Sequence, residues 1–298
     1  MGSTLTTQQH GQRLIDMAEE ALYIEWKKYG RHLEEYASEF FGTAFHVFAV
    51  VAMVYVMFGH QSSVPHAIPS VPLRLLICGT LIGASGALVA ISPLGKLSGG
   101  HINPAISIGF WALGRMHVRD LGGYLISQMA GGALGVFIAT VTIPGAMHDP
   151  VRYAVLAPKA GLSDPATFLY EVVATFVLGT VIFSFVSSQR FMRFTPAAIP
   201  FTAGFLVWWD GAISGAGLNP ARWFGPAVAL SQWHLGWAYV LGPIVGAVLA
   251  ALPRMHVSLV PHRPKTSKIC HDSRFRSIFK HDAVATTPPP HVVDSLAS

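Results

Sequence analysis

Six long apolar runs separated by short polar segments occupy most of the chain. They lie near residues 39–59, 72–92, 120–143, 167–188, 197–213 and 233–252. A helix of about 20 residues crosses a hydrocarbon core of about 30 Å, so runs of this length predict transmembrane helices. Their many glycine and alanine residues favour close helix packing in lipid. The pattern therefore predicts an all-α membrane protein.

One eight-residue phrase occurs twice between these runs. Residues 98–105 read Ser-Gly-Gly-His-Ile-Asn-Pro-Ala, and residues 214–221 read Ser-Gly-Ala-Gly-Leu-Asn-Pro-Ala. Asparagine is a favoured helix N-cap, and proline fits the first helical position, which needs no N–H. Each phrase therefore predicts the start of a helix, with an asparagine amide at its tip that is free to donate to something else.

The apolar stretch after each phrase, 106–113 and 223–230, is only about half as long as a membrane span. Each predicted half-helix places the positive end of its dipole at its capping asparagine. Half-helices of this kind mark the transport pathway in membrane proteins. Three spans and a half-helix followed by three more and a second half-helix indicate an inverted-topology repeat.

Two glutamates stand at equivalent places of this repeat, Glu39 in the first span and Glu171 in the fourth. A carboxylate inside a membrane is costly and tends to be functional. Their equivalence favours a structural role, in which each holds the irregular backbone before a half-helix, over direct contact with a solute.

The paired Asn-Pro-Ala motifs, with Arg222 directly after the second and Ser-Gly steps before both, resemble the aquaporin (major intrinsic protein) family over about residues 38–252. The resemblance implies six transmembrane helices plus two re-entrant half-helices, four pores in a homotetramer, and passive conduction of water or small neutral solutes. It assigns the pore motifs to Asn103, Pro104, Ala105, Asn219, Pro220 and Ala221.

The family also has a narrowest ring of four residues. Counting without gaps from the two asparagines places this ring at Gly83, Val207, Ala216 and Arg222. Strict water channels have Phe and His at the first two positions, so the resemblance implies a wide, mostly apolar ring, similar to the nodulin-like branch. Glycerol, urea or metalloid hydroxides would then pass with water. Trp208 adjoins Val207, and the fifth-helix position stays open between these two.

Charge exclusion follows from the same arrangement. The half-helix dipoles and the fixed charge of Arg222 disfavour protons and cations, whereas neutral hydroxyl-bearing molecules keep hydrogen-bond partners. Asp210 has two interpretations: it is solvated at the pore mouth, or it hydrogen-bonds Arg222 or the loop before Asn219.

Composition agrees with a membrane protein, since 52% of the 298 residues are hydrophobic and 12% charged, with a mean hydropathy of +0.47. The two cysteines, Cys78 and Cys270, predict neither a disulfide framework nor a metal site, and we expect no cofactor. The net charge of +5 comes largely from the C-terminal tail. It indicates contact with a membrane surface rather than with nucleic acid.

The sequence predicts three segments. Residues 1–37 form an N-terminal segment that is either an interfacial amphipathic helix or a solvated helix. Residues 38–252 form the channel domain, and residues 253–298 a basic, disordered tail. The bias of Lys and Arg predicts that both termini are cytoplasmic in a multi-pass protein of the plasma or inner membrane.

A strict water channel, a coupled secondary transporter and a junction-forming structural protein are the alternatives to a wide channel, and we do not expect an enzyme. A strict water channel would share the pore motifs but not the wide ring. A coupled secondary transporter also uses broken helices and would need a titratable residue near them, for which Asp210 is the candidate. An enzyme would need a catalytic cluster at one depth, and the apolar spans offer no such set beyond the two glutamates.

Overall fold

The computed structural model describes residues 32–148, 150–255 and 267–279, and in this part of the chain all regular structure is helical. Ten α-helices follow one another: α1 Leu33–Phe58, α2 Val64–Ala67, α3 Val71–Ile91, α4 Pro93–Ser98, α5 Pro104–Ala112, α6 Val118–Thr142, α7 Asp164–Ser187, α8 Thr195–Asp210, α9 Pro220–Leu230 and α10 Gly236–Met255. Short 3-10 turns lie at Pro144–Met147, Arg152–Ala154 and Met192–Phe194.

The six long helices α1, α3, α6, α7, α8 and α10 match the six apolar runs, which confirms the predicted fold class. Five of them are long and apolar enough to cross a membrane by length and composition. The exception, α8, has 16 residues; the 3-10 turn Met192–Phe194 precedes it, and it ends at Asp210. The half-helices α5 and α9 begin at Pro104 and Pro220, as the motifs predict.

Helix α1 begins earlier than the sequence pattern suggested, at Leu33 rather than near residue 39. Glu34 and Glu35 lie in its first turn, where negative charge is favourable near the helix dipole. The predicted boundary between residues 37 and 38 therefore falls inside a helix. The rest of the predicted N-terminal helix, residues 1–31, lies outside the described residues.

Three helix pairs pack most extensively: α3 with α8, α1 with α6, and α7 with α10. Glycines allow two of these close approaches. A Cβ atom at Gly131 of α6 would collide with the carbonyl oxygen of Phe40 in α1, and one at Gly246 of α10 with that of Val172 in α7. Equivalent pairs in the two halves are thus packed in the same way, as expected for a repeat.

The prediction of a disordered tail is wrong for residues 267–279, which pack against the helical bundle. Ser267, Lys268, Ile269 and Phe279 are buried. The sequence pattern missed this contact because a few apolar side chains and one ammonium group make it, and none belongs to a periodic run. The other tail residues beyond Met255 lie outside the described part of the chain.

Candidate pore

The two half-helices are capped as their sequences predict. Asn103 Oδ1 accepts a hydrogen bond from Ala105 N at 2.9 Å, and Asn219 Oδ1 accepts one from Ala221 N at 2.9 Å. Each cap satisfies one of the backbone N–H groups that a helix start leaves unpaired.

The two asparagines also bind each other's loops. Asn103 Nδ2 donates to Leu218 O at 2.9 Å, and Asn219 Nδ2 donates to Ile102 O at 2.9 Å. The amides are therefore less free than the sequence suggested, because one N–H of each holds the opposite loop. The second N–H of each amide is left for a solute, and both asparagines line the central cavity.

The loops before the half-helices share one backbone conformation. Gly99 and Gly215 have φ of 96° and 102°, and Ile102 and Leu218 have φ of 44° and 58°. Left-handed backbone at residues other than glycine is strained and must be held by its surroundings.

The glutamates supply that support. Glu39 accepts hydrogen bonds from His101 N at 3.0 Å and from Ile102 N at 2.6 Å. Glu171 accepts from Gly217 N at 2.8 Å and from Leu218 N at 2.8 Å. Both carboxylates are fully buried, and each binds the amide of a left-handed residue. Their positions fit the predicted bracing role.

Asp210 is fully buried, so the interpretation of a solvated residue at the mouth is wrong. Its Oδ1 accepts from Ser214 N at 3.2 Å, and Ser214 Oγ lies 2.7 Å from its Oδ2. Ser214 Oγ also lies 2.8 Å from Glu171 Oε1. Asp210 therefore supports the loop before Asn219, in agreement with the second interpretation.

A cavity of about 410 Å³ runs along the two motifs. All four residues of the expected ring border it: Gly83, Val207, Ala216 and Arg222. Trp208 is 47% exposed on the outer face of α8 and is not part of the wall. Of the two candidates on α8, Val207 is the one that lines the cavity. Trp223, next to Arg222, packs against Trp233 and does not line the cavity.

The expected role of Gly83 needs a correction. A Cβ atom at Gly83 would lie 2.7 Å from Pro200 Cα and 2.8 Å from Ala203 Cβ, both in α8. A side chain here would push α8 away instead of entering the cavity. Cys78 and Ile82, which also line the cavity, shape the wall on this side. An ungapped count places a residue along a helix but does not fix the direction of its Cβ.

Arg222 lies in the first turn of α9 and lines the cavity. Its Nη1 has no hydrogen-bond partner among the described residues. The residue as a whole is half-buried and borders the cavity, so its other guanidinium N–H groups are suited to binding a passing oxygen atom.

His46 of α1 is a cavity-lining residue that the sequence analysis missed. Its Nδ1 lies 2.8 Å from Ser85 Oγ, and Ser85 Oγ donates its proton to Ile82 O at 2.7 Å. Because that hydroxyl proton is already used, His46 Nδ1 must be the donor. The neutral ring then keeps Nε2 as a hydrogen-bond acceptor. A single histidine in an apolar run gives no sequence signal for this role.

His101 has the opposite tautomer. Its Nε2 lies 2.6 Å from Ser267 O, a carbonyl that can only accept, so Nε2 carries the proton. Its Nδ1 then accepts from Ser107 Oγ at 3.1 Å, and Ser107 Oγ accepts from Gln128 Nε2 at 2.9 Å. His101 thus joins the first loop to the tail segment.

Inside the helical bundle, the tips of two capped half-helices hydrogen-bond to each other's loops beside a cavity that an arginine borders. This arrangement defines a membrane channel for water and small solutes. The sequence matches the Major intrinsic protein family over residues 25–253, and the chain belongs to that family. Its members are channels rather than enzymes.

Several known proteins resemble this chain. Aquaporin AqpM of Methanothermobacter thermautotrophicus is 32% identical over 249 residues, which cover 74% of this chain and 96% of that protein. Aquaporin TIP2-1 of Zea mays is 31% identical, covering 74% and 85%. The solved structure of the aquaglyceroporin from Plasmodium falciparum has a TM-score of 0.63 and 20% identity, covering 77% and 98%. The last likeness concerns the fold alone.

Proposed function

We propose that this channel passes small uncharged solutes, such as glycerol, urea or uncharged metalloid hydroxides, together with water, and excludes protons and ions. The observation that carries the proposal is the wall of α3. This helix is described in full, and its cavity-lining residues include no aromatic: Val71, Leu75, Cys78, Ile82, Gly83 and Gly86.

The α8 side of the cavity also supports a wide solute range. On α8 the cavity is bordered by Ile199, Ala203 and Val207, all aliphatic. Such walls leave room for a solute carbon chain, while Arg222 and the two asparagine amides offer donors to its oxygen atoms. The relatives of 30% identity or more that are described above carry the name aquaporin, in agreement with the passage of water.

We further propose a homotetramer in the plasma or inner membrane with both termini cytoplasmic. Outward-facing side chains support a lipid or subunit environment, since Ile126 is 73% and Phe201 75% exposed. The basic residues near one membrane side support the orientation: Lys96, Arg115, Arg119, Arg190 and Arg193.

Stopped-flow light scattering of proteoliposomes under glycerol, urea and impermeant-sugar gradients tests the solute range. We expect glycerol or urea flux well above that of empty liposomes, with no proton uptake accompanying it. Water flux without solute flux would indicate a strict water channel. Solute flux that requires a proton gradient would indicate a coupled transporter.

A further inference from the structure

The tail segment, residues 267–279, lies across one end of the cavity. Ile269 is 4% exposed and lines the cavity. It shares a hydrophobic cluster with Ile106, Leu178 and Ile182, which also line the cavity. We call this end, formed by these three residues and His101, the tail-side mouth. An apolar side chain at this position offers no hydrogen bond to a solute that enters the mouth.

The same segment occupies polar groups of the first pore loop. His101 Nε2 donates to Ser267 O at 2.6 Å, and Ile269 N donates to Gly99 O at 2.9 Å. His101 also lines the cavity. The carbonyl of Ser267 therefore takes the N–H that His101 would otherwise present to a solute entering the mouth.

Further contacts anchor the segment to the bundle. Lys268 Nζ donates to Lys96 O, at the end of α4, at 2.6 Å and to Arg276 O at 2.6 Å. Arg276 pairs with Glu35 of α1 through two hydrogen bonds of 2.8 and 2.9 Å. The Phe279 ring stacks on His101 with 5.5 Å between ring centroids.

These contacts differ in how easily they can be released. The Arg276 side chain is 40% exposed, and the Lys96–Asp272 pair also lies near the surface. An ion pair with one partner open to solvent is screened by salt more than a fully buried pair. The Arg276 guanidinium is thus accessible from solution, whereas its partner Glu35 and the Ile269 side chain are buried.

We propose that residues 267–279 are an autoinhibitory segment that closes the tail-side mouth and opens the pore when it is released. Apolar constrictions close channels because water leaves them, and Ile269 supplies such a constriction here. The proposal rests on the channel function proposed above but not on a wide solute range.

Water permeability of proteoliposomes tests the closure. Arg276→Ala removes the pair with Glu35, and we expect it to raise water permeability several-fold over the parent. Arg274→Ala is the matched control, since Arg274 pairs with Asp272 within the segment and is 79% exposed; it should stay near the parent. Ile269→Asp, which puts a charge into the apolar mouth, should open the pore like Arg276→Ala.

A second measurement follows the segment itself. In a Cys78→Ser background, Cys270 reports docking through its rate of alkylation by a maleimide in detergent micelles. We expect slow labelling in the parent and in Arg274→Ala, and faster labelling in Arg276→Ala and Ile269→Asp.

The outcomes separate the two proposals. Labelling of the parent as fast as that of the released variants, or release without a gain in water permeability, would overturn the autoinhibitory segment. Variants that gain water flux but pass neither glycerol nor urea would support the segment and contradict the wide solute range.

Discussion

Arg276 and Glu35, 241 residues apart, form a two-pronged ion pair in which the guanidinium Nε and Nη2 each bind one carboxylate oxygen. Glu35 is fully buried and lies in the first turn of α1. Pairing raises the pKa of Arg276, chiefly through its hydrogen bond to Glu35. The start of the first membrane helix is thereby linked to the last described segment of the chain.

The titration of the Lys268 ammonium group should determine how closure of the tail-side mouth depends on pH. Burial lowers its pKa from 10.5 to about 8, although Glu35 and Asp272 oppose the shift. The docked segment therefore binds fewer protons than the released one between these two values, and docking gains stability as pH rises through this window. We expect water permeability of proteoliposomes to fall as the pH rises from about 8 to 10.5.

Lys268→Met is the control for this pH step, since it keeps an unbranched side chain and removes the titrating group. The groups that surround Lys268, including Lys96, Glu35, Asp272 and Arg276, remain in the variant. A pH step of unchanged size in Lys268→Met would assign the effect to another group.

Narrowing the α3 wall should separate water from larger solutes. Cys78→Phe adds a ring to a cavity-lining position, and a steric cost of about 1.4 kcal/mol corresponds to about tenfold in glycerol flux. Water flux should change much less. Leu76→Phe is the matched control, because Leu76 is 40% exposed and does not line the cavity. Equal losses of water and glycerol flux in Cys78→Phe would contradict selective narrowing.

Removing the fixed charge should admit ions. Arg222→Val keeps both half-helix dipoles but loses a charge that costs a cation about 4 kcal/mol at about 4 Å and an effective dielectric constant of about 20. We expect a proton leak at least about tenfold above the parent. Neutral-solute flux should stay largely intact. Fluorescence of a pH dye trapped in liposomes measures the leak, and an unchanged leak would assign the barrier to the dipoles alone.

Asp210 should stabilise the fold through the hydrogen-bond acceptors that its carboxylate offers to Ser214. Asp210→Ala leaves Ser214 N without its side-chain acceptor, and we expect the free energy of unfolding to fall by about 2 kcal/mol. Asp210→Asn keeps an acceptor and adds an N–H toward Ser214 Oγ, so its loss should stay below about 1 kcal/mol. Thermal unfolding in detergent compares the two variants. Similar losses would mean that charge, rather than hydrogen bonding, holds the loop.

His46 should favour solutes that donate hydrogen bonds. His46→Leu removes the ring acceptor, and the loss of one hydrogen bond of about 1 kcal/mol predicts a fall of about fivefold in glycerol flux. Ser85→Ala removes only the partner of Nδ1 and should have a smaller effect. The same proteoliposome assay measures both variants. Glycerol flux unchanged in His46→Leu would exclude contact between the ring and the solute.

The sequence predicted those parts of the structure that depend on residues close together in the chain. Apolar runs predicted the long helices, and Asn-Pro at 103–104 and 219–220 predicted two capped half-helices. The direction of Gly83 was missed because it depends on the packing of α3 against α8. The docking of Ser267 on His101 was missed because the partners are 166 residues apart, and no periodic pattern records such a contact.

The exchange of hydrogen bonds between Asn103 and Asn219 has a consequence for how the chain is made. As the first half leaves the ribosome, the acceptor for the Asn103 amide does not yet exist, and Ile102 O lacks its donor. Each buried group without a partner costs about 1–3 kcal/mol. We therefore expect the first loop to reach its final shape only after the second half of the chain has been inserted.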